Sequence, residues 1–169
     1  MWDRNVPFDG TTLRQAAAEQ GLTSRQAYVD AAQYDAGLSR IALQRGAEAA
    51  KFFRHQRPYN STCTNNCGDI TTATYKGKAA PGENLHSVGS MGKAMQDWGY
   101  GEVGALVRAN GQFNRGNGHL HNLIDPRMRA YGFASVVTAE GEASVTSTCG
   151  VGAGSDRIEG AQNTVLHRP

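Results

Sequence analysis

Residues 114–126 read NRGNGHLHNLIDP. His119 and His121 sit in a Gly/Asn-rich turn, and an apolar pair, Leu123 and Ile124, leads on to Pro126. Glycine and asparagine open turns because they tolerate backbone conformations that other residues avoid. Imidazoles held in such a turn serve as metal ligands, as proton acceptors or as hydrogen-bonded structural groups. The rest of the chain has to supply the partners that decide between these roles.

Downstream of Pro126 the pattern turns to strands. In YGFASVVTAEGEASVTSTC (131–149), Phe133, Ser135 and Val137 alternate on one side of Glu140-Gly141-Glu142, and Ala143, Val145 and Ser147 on the other. Two alternating β-rich runs about a glycine predict an antiparallel hairpin. Upstream the pattern is helical. TTLRQAAAEQ (11–20) has Thr11 or Thr12 as a cap and Gly21 as a stop. In the stretch starting at Thr23, Thr23 and Gln26 have the spacing of a capping box. The strongest helix runs from about 36 to 53, with Leu38, Ile41, Ala42, Ala49 and Phe52 on one face and Arg40, Gln44 and Glu48 on the other. A further helix is expected over 87–98, capped by Ser87 or Ser90 and burying Met91, Ala94, Met95 and Trp98; a shorter one follows at 101–109. Residues 54–82 show no period, and a loop of that length in a compact domain is functional or tied down. Helices early and a hairpin late indicate an α+β layered domain.

Composition narrows the classes. A chain of 169 residues fits one domain, and 39% apolar residues can build its core. The net charge is +2 with acids and bases interleaved, so no basic stripe points to nucleic acid. No apolar run approaches the roughly 20 residues that span a bilayer. The cysteines are Cys63, Cys67 and Cys149. The C-x3-C pair lacks the second pair of a structural zinc site, and its polar loop suggests an oxidising compartment. Either a Cys63–Cys67 bridge or a longer one to Cys149 satisfies that reading. MWDRNVPFDG (1–10) has no apolar core of a signal peptide, so a secreted protein would be read here as a mature or excised form.

Four words occur in order: FFRHQRPY (52–59), GENL (82–85), WGYGE (98–102) and GHLHNLIDP (118–126), the last followed by YGFA (131–134). Together, over about 26–149, they resemble the CAP superfamily, also called the SCP or PR-1-like domain. The bacterial branch reads H-x-R-P, G-E-N, W…E and G-H-x-x-N. The corresponding residues are His55 to Pro58, Gly82-Glu83-Asn84, Trp98 with Glu102, and Gly118-His119 with Asn122. The resemblance implies a three-layer α-β-α sandwich with a central antiparallel sheet. It would leave 1–25 as an N-terminal extension and helix, and 150–169 as a flexible C-terminal tail. It also implies a cleft tetrad of two histidines and two glutamates, which falls on His55, Glu83, Glu102 and His119. Plant and animal members usually read G-H-Y-T-Q and carry a C-terminal C-x-Y-x-P-x-G-N word. Both are missing here, so the contacts and disulfides of that branch are not carried over.

The implied tetrad has a definite chemistry. Two neutral imidazoles can hold a divalent metal, zinc foremost, while carboxylates take the other ring nitrogens. Two protein ligands predict modest affinity. Simpler roles compete: His55 and His119 as structural hydrogen-bonded groups, Glu83 as a cap for a helix near Ser87, Glu102 as an acid at a helix N-terminus. His121 stands beside the tetrad with an open role, Asn122 is expected to hold the turn, His86 to lie at the surface and Trp98 in the core. The leading expectation is a secreted or cell-surface binding module for a protein, peptide or lipid ligand. The alternatives are a peptide or ester hydrolase, metal-assisted or metal-free, with Ser87 or Ser90 as a conceivable nucleophile, and lipid or sterol binding. The chain contains no G-x-S-x-G, H-E-x-x-H or P-loop word.

Overall fold

Small polar caps set where the helices start, because each accepts a backbone N–H that the first helical turn leaves free. The computed structural model describes residues 1–58 and 73–150. It opens with a hairpin of β1 (Pro7–Phe8) and β2 (Thr11–Thr12) around Asp9 and Gly10, both at positive φ (48° and 80°). That is the Asp-Gly turn whose twist suits two adjoining strands. Thr12 then caps α1 (Leu13–Glu19), and Gly21, at φ 76°, follows its end. Ser24 caps α2 (Arg25–Asp30) by accepting from Ala27 N. The cap expected at Thr23 is therefore one residue late, and Gln26 bonds Asp30 instead of closing a capping box. After β3 (Gln33–Tyr34), Asp35 caps α3 (Ala36–Lys51). Phe52, expected on its apolar face, ends the helix and is 37% exposed.

Part of the stretch without period folds as strands. A small hairpin, β4 (Thr74–Tyr75) and β5 (Lys78–Ala79), turns at Lys76-Gly77, and β6 (Gly82–His86) follows. Ser90 caps α4 (Met91–Gln96). A π-helical turn, Asp97–Gly101, joins it to α5 (Val103–Arg108). Then comes α6 (Gly118–Ile124), so the second half of the opening stretch is a helix and not a turn. Its apolar residues Leu120, Leu123 and Ile124 have helical spacing and are all buried. The expected hairpin is β7 (Met128–Val137) with β8 (Glu142–Gly150).

The main sheet has the order β3-β7-β8-β6. It is antiparallel except for β3, which joins β7 in parallel over two residues. Strand alternation sends the two faces to different helices. On one face Ala130, Ala134, Ala143, Val145 and Leu85 pack against α3 through Leu38, Ile41, Ala42 and Ala49. On the other, Tyr131 and Phe133 pack with Ala94, Trp98 and Leu123 from α4, the π-helical turn and α6. The fold is α+β, with the sheet between two helical layers. A third cluster ties the N-terminal residues Val6, Phe8, Leu13 and Ala17 to Leu106, Leu120 and Ile124. Cys63, Cys67 and residues 151–169 of the expected tail lie outside the described residues, as does any bridge those cysteines make. Among the described residues no helix is long and apolar enough to cross a membrane.

Gly132 marks the closest approach of sheet and helix. A Cβ there would stand 2.1 Å from the carbonyl carbon of Leu38 and 2.2 Å from the nitrogen of Ser39. Both are backbone atoms, which a rotamer change cannot move aside. Gly132→Ala should destabilise by about 3 kcal/mol, seen as a lower urea midpoint with an unchanged slope.

Candidate functional site

The alternation of β6 divides GEN between the two layers. Glu83 points to the α3 side and Asn84 to the α6 side. The Glu83 carboxylate is only 2% exposed and meets the equally buried guanidinium of Arg45 from α3, with Nε–H donating to Oε2 at 2.6 Å and Nη2 to Oε1 at 3.1 Å. Arg45 also pairs with Glu48, one turn along the helix. Its Nη2 donates to the backbone carbonyls of Arg54 (3.0 Å) and His55 (3.1 Å). Arg57 closes the group by a two-nitrogen pairing with Glu48. Burial works against the Arg45 charge, but the Glu83 and Glu48 contacts outweigh it and leave its pKa above the usual arginine range. Burial likewise raises the Glu48 pKa, and the hydrogen bonds from Arg57 and Arg45 bring it below its ordinary value.

On this anchored segment the His55 ring is 59% exposed, and its Nδ1 lies 3.0 Å from Glu83 Oε1. An ionised carboxylate can only accept, so the contact puts a proton on Nδ1; in the neutral imidazole Nε2 then keeps its lone pair. The α6 side repeats the arrangement. His119 Nδ1 lies 2.6 Å from Glu102 Oε1, and Glu102 Oε2 accepts from Leu120 N at 2.9 Å. Glu102 thus orients the histidine and caps the helix that carries it. Trp98, buried in the core, stacks on the His119 ring at 5.7 Å. Asn84 Nδ2 donates to the His119 carbonyl (3.2 Å), Asn122 Nδ2 to Asn84 Oδ1 (2.8 Å), and Thr148 Oγ1 to Asn122 Oδ1 (3.0 Å). Asn122 therefore holds α6 to the sheet through side chains rather than through its own turn.

His55, Glu83 and His119 line one cleft of about 730 Å³ at the β6 edge of the sheet, His121 and Asn122 border it too, and Glu102 holds His119 without itself lining it. His121 is held by Asp9, at 2.7 Å. His86, expected at the surface, is mostly buried and pairs with Asp97 at 2.9 Å. Ser90 is engaged as the cap of α4, and neither it nor Ser87 lines the cleft. Glu83 caps no helix.

The family model of CAP, the cysteine-rich secretory protein family, matches residues 12–151. The chain belongs to this family. No curated protein and no solved structure matches it. In this CAP domain the four residues of the implied tetrad form two His–Glu pairs, one from each helical layer. Among the described residues no three His, Cys, Asp or Glu side chains converge as a metal-binding group. The donor set still fits a weaker site of two imidazole nitrogens: both histidines set Nδ1 against a carboxylate, and in the neutral rings Nε2, which has no hydrogen-bond partner among the described residues, can ligate.

Sequence reasoning missed Arg45 and Asp9. Arg45 left a signal: it lies four residues after Ile41 and four before Ala49, a charge within the apolar stripe. Asp9 left none at the level of a motif, being 112 residues from its histidine.

Arg45→Met should cost about 3–5 kcal/mol, because it strands the Glu83 carboxylate in the interior; chemical denaturation measures it. The Glu48 pairing predicts a pH dependence. Its folded pKa lies below the ordinary 4.5, so its contribution is complete above that value and is lost as pH falls through the folded one. Glu48→Gln should therefore be less stable than wild type at neutral pH. The gap should narrow as pH drops below about 4.5 in denaturant curves recorded at each pH.

Proposed function

We propose that this CAP domain is a secreted or cell-surface binding module whose cleft can hold a divalent metal, zinc foremost. One observation carries the reading: His55 and His119 each set Nδ1 against a glutamate, which in the neutral ring leaves Nε2 for a ligand. Buried carboxylates in that position fix the ring and raise the basicity of the remaining nitrogen. A bound metal would supply a Lewis acid for an oxygen of the ligand. The chain's own residues orient the two rings, back the His119 ring with the buried Trp98, and hold the two layers together through Arg45 and Asn84. Binding without turnover is favoured because Ser90 is occupied as a helix cap and, among the described residues, no serine lines the cleft. The family description and the cysteine-bearing polar loop support an extracellular setting. H-x-R-P and G-H-x-x-N, with G-H-Y-T-Q absent, support the bacterial branch.

Calorimetric titration with zinc at neutral pH tests the metal. Wild type should take up near one equivalent, and His119→Ala should lose it. Glu102→Gln, which keeps the ring but weakens its orientation, should bind about tenfold or more weakly. No zinc uptake by the wild type would remove the metal from the proposal and leave the cleft to a protein, peptide or lipid ligand alone.

A further inference from the structure

Beside the two His–Glu pairs, the cleft carries a third imidazole held by a carboxylate. His121 Nε2 lies 2.7 Å from Asp9 Oδ1, and the other Asp9 oxygen takes Arg127 Nη2 at 3.2 Å. The ring stacks on Phe8 at 4.5 Å and meets the edge of Phe113 at 5.8 Å. In the neutral ring, Nε2–H donates to Asp9 and Nδ1 keeps its lone pair. Among the described residues Nδ1 has no hydrogen-bond partner, and it is not sealed in the interior. His121 borders the cleft, yet it does not join His55 and His119 in a three-residue metal group. In that neutral form Nδ1 can accept a hydrogen bond from a ligand in the cleft.

The charges of the cleft indicate what else that ligand carries. Among the described residues its acids are already matched, Glu83 by Arg45 and Asp125 by Arg127 at 2.8 Å. Arg115 lines the same cleft, is exposed, and makes no ion pair or hydrogen bond among the described residues. Phe113, two residues before it, is 67% exposed and offers an apolar wall. One unmatched guanidinium, one bare acceptor nitrogen and one aromatic wall fit a group that joins a carboxylate to an N–H and an apolar side chain.

We infer that the cleft takes a free peptide C-terminus. The terminal carboxylate pairs with Arg115, the last amide N–H donates to His121 Nδ1, and the last side chain lies against Phe113. A sterol leaves Arg115 unmatched, and a fatty acid brings a carboxylate but no N–H. The inference rests on the binding-module reading and names its ligand class, but it does not require the metal.

The probe is acetyl-Gly-Ala-Ala-Phe, compared with its C-terminal amide and with decanoate, by calorimetry in EDTA. The free acid should bind, and the amide should bind about tenfold more weakly, as should Arg115→Ala toward the acid. Decanoate should bind worse than the peptide, and His121→Phe, which keeps the ring stacking, should erase that difference. Equal binding of acid and amide, or an unaffected Arg115→Ala, would overturn the inference. Decanoate binding as well as the peptide would remove His121 from it. Should His121→Phe fail to fold, the nitrogen NMR resonance of His121 Nδ1 in the wild type replaces it. That resonance should be that of a bare ring nitrogen and should move on peptide addition; a protonated or unmoved Nδ1 counts against the proposal. Wild type that takes zinc but no peptide sinks this inference alone, whereas peptide uptake without zinc sinks only the metal.

Discussion

The buried guanidinium of Arg45 is the constraint that the rest of the structure has to satisfy. It lies on the core face of α3, where a charge out of water is costly unless every donor is matched. The chain matches it from three directions: Glu83 from the sheet, Glu48 from the same helix, and the carbonyls of Arg54 and His55 from the segment that leaves the helix. Removing Glu83 or Glu48 leaves part of that buried charge without its partner. Buried ion pairs of this kind add little net stability over an apolar core. What this one does is specify geometry: it determines how the chain exits α3, and so where the His55 ring stands relative to Glu83.

The second histidine is positioned by different means toward the same end. Glu102 comes from just after the π-helical turn and reaches both the His119 ring and the first turn of α6. Asn84, neighbour of Glu83 on β6, takes hold of the His119 carbonyl from the opposite face of the sheet. Two adjacent strand residues therefore grip the two layers, each by the side chain that alternation gives it. The cleft lies at the β6 edge because that strand is where both layers can be reached within a span of two residues.

Much of this was legible in the chain. The long helix, expected over about 36–53 and found over 36–51, and the late hairpin follow from periodicity, whereas the site residues come from the family resemblance that the four words carry. The elements that escaped are those whose local pattern is weak. β3 has two residues and β6 five, and β6 carries Glu83 and Asn84 where an isolated strand would want apolar side chains. The 118–124 segment reads as a turn from its glycine and asparagines, and as a helix only once Leu120, Leu123 and Ile124 are seen to share a core. Thr23 lost the cap to Ser24 because neighbouring hydroxyls compete within one residue of each other. Asp9 and His121 could not be paired from spacing at all, since the hairpin that delivers Asp9 meets α6 only in three dimensions.

The π-helical turn at 97–101 gives the cleft an unusual dependence on hydrogen-bond register. A π turn is an α-helix that accommodates one extra residue in its ladder. Each residue of an α-helix advances the azimuth by about 100°. Trp98 lies within the wide turn and Glu102 directly after it, so their directions are set by how many residues that turn contains. If the turn relaxed to ordinary helix, everything after it would rotate by about one residue step, carrying Glu102 away from His119 while leaving α4 in place. One half of the site is thereby written in the count of residues around a helix, a discrete quantity, and the other half in the continuous packing of a buried charge.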